Sequence, residues 1–336
     1  MRRTHLATVT LLTGFLGSIL PTAPAFADIA PSVLEQAKLA TIGILEDTQD
    51  QRTPDKPGKL LVRGTGFHLR DGYVVTARHA AEKHDVTTGT VLEKQIRLLT
   101  NDLHEITADL VGDSAYMDVV VYRIVERHRS KLNAGVSFAP SDVLPGQSVF
   151  TVGYPMGWGP TMSFGHLGNT NTFLQTVDTR LIQADVAACS GNSGGGLFNE
   201  KGDVVGIMHA IIQTERDDST ARCSRMAFAI PAILANRIVT AALDGKPLAF
   251  SKMGIQMMAV KDGTKWRMAV KDVMEPAKSA GIQKHDIIIA VDETEINDAA
   301  HLKNYLIERT SPGQKVAVKV RRIDTDLTFT VTLGGG

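Results

Sequence analysis

Gly64-Thr65-Gly66-Phe67-His68-Leu69 and Tyr73-Val74-Val75-Thr76 are two short runs parted by the turn pair Asp71-Gly72. Short apolar or alternating runs bounded by turn residues read as strands. The same texture continues through Leu39–Leu45, Ile96–Leu99, Val119–Ile124, Val149–Gly153, Leu181–Ala184 and Val204–Ile212. Many short strands with Gly, Asp and Asn between them predict an all-β barrel or sandwich from about residue 39 to 228. Gln49–Lys59 is polar, holds Pro54, Pro57 and Gly58, and reads as an exposed loop. Tyr154–Asn171 is rich in Gly and small residues and reads as a second loop. Pro231–Leu243 reads as a helix, with Ile233, Leu234, Ile238 and Ala241 along one side and Gly245 beyond its end.

After Gly245-Lys246-Pro247 the character changes. Gly254–Val260, Trp266–Val273, Ile287–Val291 and Val316–Arg321 read as strands, Glu275–Ala280 as a short helix and Asp298–Arg309 as a longer one. A chain of 336 residues has room for this second, mixed domain. The composition, 43% hydrophobic and 21% charged, suits a well-packed soluble core. Lys+Arg and Asp+Glu both number 36, so the basic excess of a nucleic-acid binder is missing.

Residues 1–27 read as a cleaved signal peptide, with an uncleaved anchor or a buried helix as the alternatives. Arg2 and Arg3 precede the apolar run Leu6–Leu20, Pro21 and Pro24 break it, and Ala25-Phe26-Ala27 offers small residues to a signal peptidase. The mature chain would begin near Asp28, in the periplasm or outside the cell. No later stretch approaches 18 consecutive apolar residues. In that oxidising setting the chain's two cysteines, Cys189 and Cys223, are candidates for a disulfide, with unpaired core thiols as the alternative.

Cys189-Ser190-Gly191-Asn192-Ser193-Gly194-Gly195 is the sharpest chemical signal. A serine hydroxyl is a weak nucleophile that needs a base and a site for the developing oxyanion. Glycines beside Ser193 let the amides of Gly191 and Ser193 point into one small space; a flexible Gly-Ser loop would read the same way. Val74-Val75-Thr76-Ala77-Arg78-His79-Ala80 sets His79 just past an apolar strand. His84, His104 and His209 are its rivals, and none has an apolar strand leading into a Thr-Ala-x-His-Ala turn. Asp118 opens the apolar run Val119–Ile124, where a half-buried carboxylate needs a partner that a histidine N–H supplies. Asp113 is its nearest competitor.

The order His79, Asp118, Ser193 resembles that of chymotrypsin-like serine proteases, and more closely the HtrA family. The resemblance rests on Gly64–Phe67, Asp113–Ile124, Leu181–Asp185, Gly191–Gly195 and Phe228–Pro231. It implies a double six-stranded β-barrel over residues 28–248, with Ser193 as nucleophile, His79 as general base and acid, and Asp118 orienting His79. It implies an oxyanion hole from the Gly191 and Ser193 amides, no metal and no cofactor. Ser190 and Gly196 stand where the family usually has proline. Cys189 and Cys223 resemble a bridge beside the specificity pocket of digestive enzymes. The resemblance sets pocket walls at Ala187, His209, Ile211 and Met226 or Ala227, none acidic, which implies apolar substrate side chains; His209 has the alternative of contacting the triad. Asn192 leaves no carboxylate to capture a new N-terminal ammonium, which disfavours zymogen activation by that route.

Residues 251–334 resemble a PDZ domain of bacterial proteases through Met253–Gln256, Pro276–Ile282, His285–Ile288 and Pro312–Val316. This implies a C-terminal peptide ligand added as a strand against Gly254–Ala259, with amides near Gly254 and Ile255 holding its carboxylate. An empty or self-filled groove is the alternative. The expected function is an ATP-independent endopeptidase for unfolded or exposed protein segments. The alternatives are a dormant peptide-binding, chaperone-like protein and a narrow-specificity processing protease. The family commonly forms homotrimers, although no aromatic trimer contact stands out after Asp28.

Overall fold

The computed structural model describes residues 29–46, 62–85, 87–132, 135–172, 179–211, 223–246 and 248–335. The expected signal peptide and the Gln49–Lys59 loop lie outside the described residues.

The first element is a helix, α1 (Pro31–Ala40), and it corrects the expected start of the first strand at Leu39. Pro31 suits a first helical turn, and Leu34–Ala40 are mostly good helix formers. The β-branched pair Thr41-Ile42 then switches the chain into β1 (Thr41–Leu45). β2 (Val62–Leu69), β3 (Tyr73–Ala77), β4 (Gln95–Leu99), β5 (Glu105–Ser114) and β6 (Val119–Ile124) follow. These six close a barrel in the order β1-β2-β3-β6-β5-β4, around a core that includes Ile42, Ile44, Val74, Leu98, Ile106 and Tyr122.

The second barrel is built from β7 (Ser148–Gly153), β8 (Thr161–Thr172), β9 (Leu181–Ala184), β10 (Gly196–Asn199), β11 (Val204–Ile211) and β12 (Ala227–Pro231). It closes in the order β8-β9-β12-β11-β10-β7. β8 overturns the expected loop at 154–171, of which only the first residues are a turn. Its 12 residues are mostly half-buried or exposed, so no apolar run announces it. Its Gly165 marks a close approach: a Cβ there would lie 1.7 Å from the Asp185 carbonyl oxygen. A shared core joins the barrels, with Phe67, Val75 and Val121 from the first packed with Phe150, Phe198 and Phe228 from the second. α2 (Ala232–Leu243) packs on this seam through Leu234, Ala235, Ile238 and Val239; Ile233 and Ala241, expected on its buried side, are only half-buried.

The C-terminal unit is a sheet of β13 (Ile255–Asp262), β14 (Lys265–Val273), β15 (Ile287–Val291), β16 (Lys315–Arg322) and β17 (Thr325–Thr332) in that order, with Thr294–Glu295 added on β15. The expected helix at 275–280 is instead a series of turns ending at Gly281, whose φ of 98° suits glycine. α3 (Ala299–Arg309) is capped by the Asp298 carboxylate, which accepts from the His301 amide at 2.6 Å. One face of α3 docks on the second barrel. Glu308, buried, accepts from Arg180 at 2.7 and 2.8 Å, and Asn304 Oδ1 accepts from the Arg180 amide at 3.2 Å.

Candidate active site

His79 stands in a short helical turn directly after β3, and Asp118 in the turn between β5 and β6. β3 and β6 are neighbours, with Ala77 opposite Val119, so their ends bring the two residues together. Asp118 Oδ1 accepts from the His79 amide at 2.9 Å, and Oδ2 lies 2.7 Å from His79 Nδ1. An ionised carboxylate only accepts, so Nδ1 carries the proton and Nε2 keeps its lone pair. Asp118 has a φ of 54°, and the Arg78 amide donates to its carbonyl at 3.0 Å. Burial would raise the Asp118 pKa, but hydrogen bonds from His209 and His79 outweigh it and hold the group well below the usual carboxylate range. Asp113, the competitor, pairs with Arg78 at 2.7 Å instead.

Ser193 comes from the second barrel, in the turn before β10, yet it is pinned to the first. The Thr65 amide donates to the Ser193 carbonyl at 2.9 Å. The Thr65 hydroxyl donates to the Gly191 carbonyl at 2.6 Å and accepts from the Tyr154 amide at 3.0 Å. Gly194, at φ 86°, lies against β2 and β3: a Cβ there would be 1.9 Å from Thr76 Oγ1 and 2.2 Å from the Thr65 carbonyl oxygen. Within the turn, the Cys189 amide donates to Asn192 Oδ1 at 3.0 Å and the Met156 amide to the Ser190 carbonyl at 2.6 Å. The Gly191 and Ser193 amides donate to no described residue. The Ser193 hydroxyl likewise makes no hydrogen bond among the described residues, to His79 or otherwise. Such bonds often tighten only with substrate in place.

Cys189 and Cys223 are joined in a disulfide, opposite each other in a two-residue ladder next to the turn. Of the expected pocket residues, Ala187 and Met226 are exposed, and the side chain of Ile211 lies outside the described residues. His209 is buried and sets Nδ1 2.7 Å from Asp118 Oδ2, the contact with the triad expected as its alternative role. His79, Asp118 and His209 bring donor atoms within 4.8 Å of one another, a set able to hold a metal ion. Their mutual hydrogen bonds already account for that arrangement.

A groove of about 980 Å³ runs between β13 and α3, lined by Gly254, Ile255, Met257, Leu302 and Leu306. β13 is an edge strand and α3 forms the opposite wall. Met253, at the expected carboxylate-binding loop, is buried in the core of this unit.

The family of trypsin-like peptidase domains matches residues 64–207, and the family of PDZ domains matches residues 251–333. A probable periplasmic serine endoprotease DegP-like from Hahella chejuensis is 31% identical over 283 residues, covering 81% of this chain and 56% of that protein. A protein of the same description from Chlamydia trachomatis serovar D is 28% identical over 303 residues, covering 86% and 57%. Among solved structures, the HtrA-type protease AlgW with a tripeptide is 25% identical with a TM-score of 0.67, covering 90% of this chain and 96% of that one.

The chain is HtrA-like. It spans a little over half the length of these curated relatives. The two closed barrels are the chymotrypsin-like part of the HtrA-like fold, and the unit from Ser251 onward is the PDZ part. In this HtrA-like chain His79 and Asp118 meet directly, and the Thr65 amide holds the turn of Ser193 on the same barrel. Sequence reasoning missed Thr65, the residue that ties the Ser193 turn to the first barrel. Its signal was present: a buried polar residue bracketed by Gly64 and Gly66 inside an apolar strand.

Proposed function

We propose that the chain is an exported, ATP-independent serine endopeptidase that cleaves unfolded or exposed protein segments, aided by its PDZ groove. The observation that carries this reading is the His79 Nδ1–Asp118 Oδ2 contact of 2.7 Å at the same seam where two uncommitted amides flank Ser193. In this reading Ser193 Oγ attacks the scissile carbonyl while His79 Nε2 takes its proton. Asp118 stabilises the imidazolium that forms. The Gly191 and Ser193 amides receive the oxyanion, each typically contributing about 3 kcal/mol to the barrier reduction. His79 then returns the proton to the leaving amine, and water repeats the sequence to free the acyl group. Every step is proton transfer and acyl transfer, so no nucleotide is consumed.

Residues 28–248 would form the mature protease unit and 251–334 the PDZ unit, after removal of residues 1–27. The periplasmic naming of the DegP-like relatives supports export. The AlgW structures with a tripeptide and a decapeptide support peptide binding. The groove beside Gly254 and Ile255 would take an extended peptide as a strand on β13. The exposed, uncharged Ala187 and Met226 favour an apolar residue before the cleaved bond.

The test is hydrolysis of unfolded casein and of a peptide library by the mature protein and by Ser193→Ala, with and without peptides ending in apolar residues. Cleavage after apolar residues, lost in the variant, is the expected result. Intact substrates under every condition, with peptide still bound, would establish the dormant binding reading instead.

A further inference from the structure

Asp118 carries two histidines, and the proposed mechanism uses one. His209, on β11, sets its Nδ1 on Oδ2 at 2.7 Å, the same oxygen and the same distance as His79. The rings meet edge to face with centroids 5.8 Å apart. His209 is buried, whereas the His79 side chain is 44% exposed. The strand beneath His209 also holds the nucleophile turn: the Gly194 amide donates to the Met208 carbonyl at 2.7 Å, and the Met208 amide to the Gly195 carbonyl at 2.8 Å. One strand therefore fixes the Ser193 turn at Met208 and the acid at the next residue.

We propose that His209 is a positioning residue for the His79–Asp118 pair, holding the carboxylate by a second imidazole N–H and coupling the protonation of the two histidines through it. This rests on the protease reading above. The carboxylate needs donors because it is buried, and among the described residues His79 and His209 are its side-chain donors. With both Nδ1 atoms protonated, both rings are neutral and the cluster carries one negative charge. A first added proton cancels that charge; a second meets a neutral carboxylate–imidazolium pair already formed on the same oxygen. The two imidazoles share one counter-charge on one oxygen, so a proton on either ring reduces the charge that the other meets. The titratable groups on this carboxylate are His79, from the turn after β3, and His209, from β11. The neighbouring Arg78 guanidinium is directed away, to Asp113 and Glu82.

The test is the pH dependence of kcat/KM for the mature full chain, His209→Asn and His209→Ala. Asparagine can put an N–H near the position of Nδ1 but does not titrate. For the wild type, the acid limb of the log plot should steepen from a slope of one toward two as pH falls. For His209→Asn it should stay at one. His209→Ala should lose about ten- to a hundredfold in kcat, the worth of a hydrogen bond to a charged group, with KM within about twofold. His209→Asn should recover part of that loss. A readout free of turnover comes from ¹⁵N-histidine-labelled Ser193→Ala. Two low-field ring N–H resonances are expected at neutral pH, both shifted in Asp118→Ala and one absent in His209→Asn. A wild-type slope of one that superposes on His209→Asn, or a single low-field resonance indifferent to His209, would overturn the role. Turnover persisting in Ser193→Ala would overturn the protease reading and this role with it.

Discussion

The two sides of the cleft are held by different forces. The first barrel supplies side chains: His79 and Asp118 are fixed by hydrogen bonds between ionisable groups, and a buried His68 lies farther along β2, opposite Val74. The second barrel supplies a backbone turn, held by Thr65, by glycine at positive φ and by a covalent bridge at Cys189. Among the described residues, His209 crosses from the second barrel to the Asp118 carboxylate. The first side should therefore be sensitive to charge and pH, and the second to sterics and reduction.

Ser193→Ala is the largest expected effect, because it removes the one atom on which both sides act. It should cost about five to six orders of magnitude in kcat while the melting temperature changes little. Asp118→Asn breaks the charge-based side alone. Loss of the correct tautomer should lower kcat about 10⁴-fold. Gly194→Ala breaks the backbone side alone: its Cβ would collide with Thr76 Oγ1 and the Thr65 carbonyl at a φ that suits glycine. It should cost at least about 100-fold in activity and roughly 2–4 kcal/mol in denaturant unfolding.

Most of the fold could be read from sequence because apolar strands separated by turn residues carry their own signal. Leu181–Ala184 and Ile287–Val291 have the bounds expected of them. β8 failed that reading because its residues are half-exposed and its Gly165 serves close packing, which looks like looseness in a sequence. The turns at 275–280 failed it because Glu, Pro, Ala and Lys suit a helix start. At the site, His79, Asp118 and Ser193 could be read because each lies at the end of a recognisable run. Thr65 and His209 act through contacts over 126 and 91 residues of chain: the glycines beside Thr65 mark the position but not its partner, and His209 entered only as an alternative implied by the resemblance.

Smaller effects separate the sides further. Removing the disulfide by Cys189→Ala with Cys223→Ala should cost about 3–4 kcal/mol in unfolding free energy, the value expected for its loop. Reductant should do the same to the wild type and nothing to the double variant. On the first side, burial pushes the His68 pKa down to about 4, partly opposed by Asp71. The unfolded chain takes up that proton from about pH 6.5 downward and the folded chain only near 4, so stability should fall across this window by up to about 3 kcal/mol. His68→Gln should flatten that part of the stability–pH curve. The Asp118 pKa is lowered too, against its burial and by hydrogen bonds from His209 and His79: a depressed carboxylate stabilises above about pH 4, and this contribution is lost as pH falls below it.

The meeting of the two sides at one hydroxyl is tested most directly by covalent labelling. Mature protein treated with a biotinylated fluorophosphonate should carry one adduct, located by peptide mapping on Ser193. It should be absent in Ser193→Ala and strongly slowed in Asp118→Asn. An adduct on another residue, or labelling that persists in Ser193→Ala, would contradict the account.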